Sequence, residues 1–122
     1  MSNKIYEEPL LYIEVEKSEI PWLKIFPNAT VKEWSDCDTS TRERLFEVML
    51  IVEKQMRAYY QPEKINIASF GNYVPQLHIH VMARFQEDSY YPESMWGVKQ
   101  RDAKLTLPSF EGFLSALHKA LS

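Results

Sequence analysis

The chain is poor in the features that would place it in a membrane, a secreted framework or a polynucleotide complex. Its single cysteine, Cys37, has no partner within the chain. No disulfide framework can form, and a lone thiol suits a reducing cytosol. The longest uninterrupted apolar run, Val48 to Val52, is far too short to cross a bilayer, and the N-terminal residues show no apolar core behind positive charges. We therefore expect a cytoplasmic protein that is neither exported nor membrane-bound. Fourteen basic against 17 acidic residues give a net charge of −3, with no basic block of the kind that grips a phosphate backbone. A long nucleic acid is excluded as an expected partner, whereas a single nucleotide is not. Repeats and low-complexity tracts are absent as well.

What is present is a 122-residue chain with 45% apolar content, enough to bury roughly two-thirds of its surface around one core. We expect a single domain over residues 1–122. Residues 1–9 read as a loose lead-in. Leu11, Ile13 and Val15 then alternate with Tyr12, Glu14 and Glu16, the period of a strand. Ser18 and Glu19 mark a turn, and Ile20 to Phe26 forms a second strand that Pro21 confines to an edge or a strand start, closed by Pro27 and Asn28. The two are expected to pair as an antiparallel hairpin.

Ser40 followed by Glu43 is a capping-box signature for a helix start. Leu45, Val48, Met49, Val52, Met56 and Tyr59 then recur at helical spacing until Pro62 stops the helix. Lys64 to Phe70 reads as a strand with Ile65 and Ile67 inward and Asn66 on the other side, and Gly71 with Asn72 marks a turn. Residues 87–101 show no period and read as an ordered loop carrying Tyr90, Tyr91 and Trp96, of a length that usually serves a site or an interface. From Pro108, the spacing of Phe110, Phe113, Leu114, Leu117 and Leu121 gives a last amphipathic helix.

The most regular stretch is Asn72 to Phe85. From Leu77 onward the odd positions are apolar, and Gln76, His78, His80, Met82 and Arg84 alternate with them. Side chains two apart share a face of a strand, so two imidazoles and a guanidinium are expected in one row on a half-buried strand. The fold class that covers every apolar face is α+β: a mainly antiparallel sheet with the long helix and the C-terminal helix packed on one side. Its other side would carry Tyr12, Trp22, Phe26, Asn66, Gln76, His78, His80 and Arg84, with the aromatics available to stack a base or form a dimer contact.

Taken alone, His78-x-His80 on a strand fits metal ligation or ordinary surface histidines, and a tetrahedral zinc site would want further ligands. His118, beside the apolar stripe of the last helix, reads as a partly exposed helix residue. Arg84 reads as a functional cation or a strand-end ion pair, Asn66 and Asn72 as site residues or turn and backbone contacts, and Tyr91 and Trp96 as loop anchors or interface residues.

The frame Gly71-Asn72-x-Val74-Pro75-Gln76-Leu77-His78-Ile79-His80-Val81-x-x-Arg84 resembles the histidine triad (HIT) proteins, whose motif is His-φ-His-φ-His-φ-φ with φ apolar. The likeness covers most of residues 5 to 86. It implies an α+β domain, usually a homodimer, that binds nucleotides and cleaves or transfers at the α-phosphate. On that resemblance His78 is the middle triad position and nucleophile, His80 contacts the phosphate, and Asn66, Asn72 and Arg84 match polar positions near the substrate. Gln76 stands where the first triad histidine belongs, as in a HIT-like bacterial branch; glutamine can orient a phosphate but cannot carry a proton as imidazole does.

The chemistry is reasonable in its own right. A neutral imidazole is a nucleophile, and attack on phosphorus splits one hard hydrolysis into two displacements. His80, Asn72 and the backbone N–H groups of the Gly71 turn would balance the charge on the oxygens. The scheme calls for no metal or cofactor. We expect hydrolysis or transfer on a dinucleoside polyphosphate or nucleoside phosphoramidate through a nucleotidyl-histidine. The alternatives are a catalytically weak nucleotide-binding dimer and a metal-binding protein using His78 and His80. Six Phe, seven Tyr and three Trp add to the expectation of a homodimer, since aromatics are enriched at interfaces.

Overall fold

Part of the expected lead-in is a strand. Lys4–Glu7 forms β1, antiparallel to Leu11–Val15 (β2); Met1 and Ser2 fall outside residues 3–122, which the computed structural model describes. Four residues with Ile5 and Tyr6 adjacent show no alternation, so the pairing partner rather than the local pattern makes β1 extended. The hairpin is as expected: β2 pairs with Trp22–Pro27 (β3), placing Tyr12 opposite Phe26 and Glu14 opposite Lys24. Pro21 sits just ahead of β3, where its missing N–H costs nothing and its carbonyl accepts from Ala83 N–H at 3.0 Å.

The long helix α1, Thr39–Tyr60, begins at a different cap from the one expected. Asp38, not Ser40, is the N-cap, and its carboxylate accepts from Thr41 N–H at 2.8 Å. A carboxylate both bonds the orphan donor and favours the positive end of the helix dipole, leaving Ser40 inside the first turn with its hydroxyl 3.2 Å from Asp38. Leu45, Val48, Val52 and Met56 form the buried stripe. Gln61 ends the helix in the left-handed region at φ 52°, just before Pro62.

Lys64–Ala68 (β4) and Ile79–Arg84 (β5) complete a five-stranded antiparallel sheet in the order β1-β2-β3-β5-β4. Helix α1 lies against β3 and β5, and Phe110–Leu121 (α2) packs along α1 through buried Phe113, Leu117 and Leu121. Ser109 caps α2 and Pro108 precedes that cap rather than opening the helix. Ile65 is buried as expected, but Ile67 is 44% exposed because β4 is an edge strand and the helices cover the middle of the sheet instead.

The histidine strand, expected as half-buried from Leu77 onward, is shorter and more covered than that. Only residues 79–84 are strand, and all six are buried. Residues 71–78 form an irregular approach, opened by Gly71 at φ +78°, a conformation that strains any residue with a Cβ. The even face of β5 is covered because residues 85–101 fold back over it. The anchor is Asp88, which accepts from the Arg84 guanidinium at 2.9 and 3.1 Å and from the N–H groups of Phe85, Tyr90 and Tyr91. Burial alone would raise its carboxyl pKa, but Arg84 and these N–H groups hold it below the ordinary value. Among the described residues, no helix is long and apolar enough to cross a membrane.

Candidate active site

The irregular approach to β5 and the outer faces of β2 and β3 enclose an open cleft of about 750 Å³. Its lining includes Gln76, His78 and His80, with Gly71, Asn72, Tyr73 and Val74 along one rim and Phe70 and Trp96 along another. The even positions of β2 and β3 supply the floor: Tyr12, Glu14, Lys24 and Phe26, with Glu16 just past the end of β2. Aromatic rings hold the histidines in place. Phe26 stacks on His78 at 4.9 Å and Tyr12 on Phe26 at 5.0 Å, while Trp96 meets His80 edge-on at 5.0 Å.

One line of hydrogen bonds assigns the state of both imidazoles. Trp22 Nε1, which can only donate, lies 3.0 Å from His80 Nδ1. His78 Nδ1 lies 2.8 Å from the Gln76 carbonyl oxygen, which can only accept. The two Nε2 atoms are 3.1 Å apart. With both rings neutral, the hydrogens fall on His78 Nδ1 and His80 Nε2, and His80 donates to a bare Nε2 on His78. Nε2 is then the ring nitrogen of His78 that carries a lone pair in place of a hydrogen. His80 is only 8% exposed. Burial first, then the charges of His78 and Lys24, push its pKa down to about 4. It is a neutral N–H donor at neutral pH.

The expected site residues divide into two groups. Gln76, His78, His80 and Asn72 converge on the cleft, and the side-chain amide of Gln76 reaches Tyr12 Oη at 3.4 Å. Arg84 and Asn66 do not line it. Arg84 is 1% exposed and is consumed by Asp88, by Asn66 Oδ1 at 2.8 Å and by the Glu93 carbonyl at 2.7 Å, which is the strand-end ion pair in a buried form. Two residues apart on a strand does not mean equally accessible when a loop covers one end of the row. His118 is exposed and holds the Ile5 carbonyl at 2.8 Å, away from the cleft. Among the described residues, no group of three or more His, Cys, Asp or Glu side chains could hold a metal ion.

Several residues at or behind the cleft are not singled out by the sequence. Trp22, behind the cleft, belongs to the expected face, but its role as the partner of His80 follows from the pairing of β3 with β5, which sets Trp22 beside Met82 and Lys24 beside His80. Glu14, Glu16 and Lys24 share the parity of Tyr12, Trp22 and Phe26, which puts them on the same face of the sheet, and strand register then brings them to the cleft.

Comparison with known proteins follows the same line. A family profile described as HIT domain matches residues 1–87. No curated protein matches the chain. A solved histidine triad protein from Bradyrhizobium japonicum is 32% identical, with 99% of this chain and 91% of that one covered at a TM-score of 0.81. A histidine triad protein from Sinorhizobium meliloti 1021 is 27% identical, covering 98% and 89% at 0.78. A hypothetical histidine triad nucleotide-binding protein from Sulfolobus tokodaii strain7, 16% identical over 99% and 81% at 0.60, shares the fold. By the match over residues 1–87 and the likeness to the Bradyrhizobium protein, the chain belongs to the HIT, or histidine triad, family.

Proposed function

We propose that this HIT protein is a cytoplasmic nucleotide hydrolase or transferase, a single domain over residues 1–122, that attacks the α-phosphate of a dinucleoside polyphosphate or nucleoside phosphoramidate through His78. Family membership supports a nucleotide-binding function of the HIT type. The observation that carries the chemical reading is the hydrogen-bonded line from Trp22 through His80 and His78 to the Gln76 carbonyl. It leaves a bare imidazole nitrogen on the cleft beside an N–H donor that cannot readily become charged.

The steps balance as two displacements. The Nε2 lone pair of His78 forms a bond to the α-phosphorus, and the bond to the leaving group breaks with its electron pair, which a proton from solvent then satisfies. His80 Nε2–H turns from His78 to a non-bridging oxygen, and Asn72 is near enough to the rim to assist. Water, or an acceptor hydroxyl, then forms a bond to phosphorus and loses its proton to solvent, while the N–P bonding pair returns to Nε2 and restores the neutral ring. Gln76 orients the phosphate by hydrogen bonding. Arg84 and Asn66 act here as positioning residues, holding the loop that carries Trp96 onto His80. We read the working unit as a homodimer with a small nucleotide as its ligand, not a long nucleic acid. Phe46 and Leu50, one turn apart on α1, are 57% and 39% exposed and suit such a contact.

A second reading, a nucleotide-binding dimer with little turnover, is favoured by one feature: Gln76 has no proton to give a leaving group. The test is to incubate the protein with diadenosine tetraphosphate and with adenosine phosphoramidate and to follow products and intact mass. The expected result is nucleoside monophosphate release and a transient nucleotidyl adduct mapped to His78, both absent in His78→Ala. Nucleotide binding without turnover would select the second reading. An adduct at His80 or His118 would overturn the assignment of the nucleophile.

A further inference from the structure

We infer that Lys24 and Glu16 form a nucleobase-reading pair that selects a guanine-type edge. This rests on the nucleotide reading above and extends it to the base, which the histidines do not touch. The cleft has two arms on either side of His78 and His80. Toward β4 it meets Phe70 and Trp96, whose rings contact at 4.8 Å and present no charge. Toward β3 and β2 it meets Lys24, then Glu14 and Glu16, flanked by the stacked rings of Phe26 and Tyr12.

Register puts these groups at the right reach. Glu14 pairs with Lys24 and Lys24 with His80, so they lie in one line across the sheet. Neighbouring strands are roughly 4.8 Å apart. A phosphate held at β5 therefore places its ribose over β3 and its base over β2, roughly two strand spacings away. Lys24 is not a spare phosphate ligand. Its ammonium is 2.9 Å from Glu16, and the two carboxylates of this arm outnumber it, which repels phosphate oxygens and favours a neutral group with a polar edge.

The pair offers a carboxylate acceptor beside an ammonium donor. Guanine presents the complement: N1–H and the N2 amine toward a carboxylate, and O6 toward an ammonium, three charge-assisted bonds in all. Hypoxanthine lacks the N2 amine and loses one of them. Adenine has an amine where guanine has O6 and no N1–H, so it faces the ammonium with a donor. An ion pair that served only to join β2 to β3 would be indifferent to the base.

Calorimetric titration of the unmodified protein with GMP, IMP, AMP and UMP at one salt concentration tests this. The expected order is GMP, then IMP, then AMP, with GMP roughly tenfold or more tighter than AMP. Glu16→Gln is expected to erase the difference between GMP and IMP, and Lys24→Met to narrow the preference for GMP over AMP without abolishing it, since Glu16 still reads N1–H and the N2 amine. Equal binding of all four nucleotides, a preference for AMP, or base ratios unchanged in both variants overturns the inference and leaves the nucleotide reading in place. Binding of none overturns both. The comparison of GMP with IMP needs no variant, so misfolding of a mutant cannot decide it.

Discussion

Trp22 Nε1 donates to Nδ1 of His80 at 3.0 Å, across two strands whose residues are 58 positions apart in the chain. That bond determines which nitrogen of His80 faces His78. An indole has no lone pair to offer in return, so His80 must keep its hydrogen on Nε2, where it meets His78 and, in the proposed mechanism, a phosphate oxygen.

Trp22→Phe keeps most of the ring and removes the donor. His80 can then adopt the other tautomer, and its Nε2 no longer donates. Turnover is expected to fall roughly tenfold, the worth of one hydrogen bond, with KM little changed. Nitrogen-15 spectra of His80 would report the tautomer directly. A wild-type rate, or an unaltered His80 tautomer, would show that the indole does not set it.

The depressed pKa of His80 has a consequence for stability. Its folded value of about 4 lies below the ordinary 6.5, so as pH falls the unfolded chain takes up the proton first. The stabilisation is present in full above pH 6.5 and is lost as pH falls toward 4. Between pH 7 and 5 this amounts to about 2 kcal/mol. Urea midpoints over that window should therefore slope more steeply for the unmodified protein than for His80→Asn; parallel slopes would refute a buried neutral imidazole.

On the resemblance drawn from the sequence, Gln76 takes the place of the first histidine in the motif His-φ-His-φ-His-φ-φ. Gln76→Ala is expected to lower turnover by roughly ten- to a thousandfold, the range for one hydrogen bond to a developing charge. Gln76→His introduces a group that titrates, and the rate should then acquire a pH dependence near the ordinary histidine pKa of about 6.5. Rates from about pH 5 to 9 decide the point. If Gln76→Ala matched the starting protein at every pH, Gln76 would be a bystander.

Arg84 bonds the loop through Asp88 and Glu93 and does not line the cleft. Arg84→Met would strand the fully buried Asp88 carboxylate without its cation, at a cost of about 3 to 5 kcal/mol. Arg84→Lys should recover part of the stability, since an ammonium cannot reach Asp88, Asn66 and Glu93 with one planar fork. Denaturant titration of both variants, with Trp96 fluorescence as the loop reporter, is the measurement. A loss below 1 kcal/mol with unchanged nucleotide affinity would remove the anchoring role.

Homodimerisation predicts twice the chain mass by light scattering at micromolar concentration, and dissociation in Phe46→Asp. A monomer at high micromolar concentration would end the idea.

The amino-acid sequence by itself determined the alternation of β2, β3 and β5, the apolar stripes of α1 and α2, and the presence of Gln76, His78 and His80 within one short segment. These are local properties: a period of two or of 3.6 is written in neighbouring residues, and it carries both the fold class and the family frame. The strand status of Lys4–Glu7, where no period could be seen, came from pairing with β2. The choice of Asp38 over Ser40 as cap came from a competition between adjacent acceptors. Only the tertiary structure decided that Trp22 would set the tautomer of His80 and that Lys24 and Glu16 would share the cleft with the histidines. The same is true of Arg84, in register with the histidines yet buried under residues 85–101 with Asp88. Parity along a strand says which face a side chain takes. What lies opposite that face depends on strand register and on where a long loop returns, and both are set by contacts far apart in the chain.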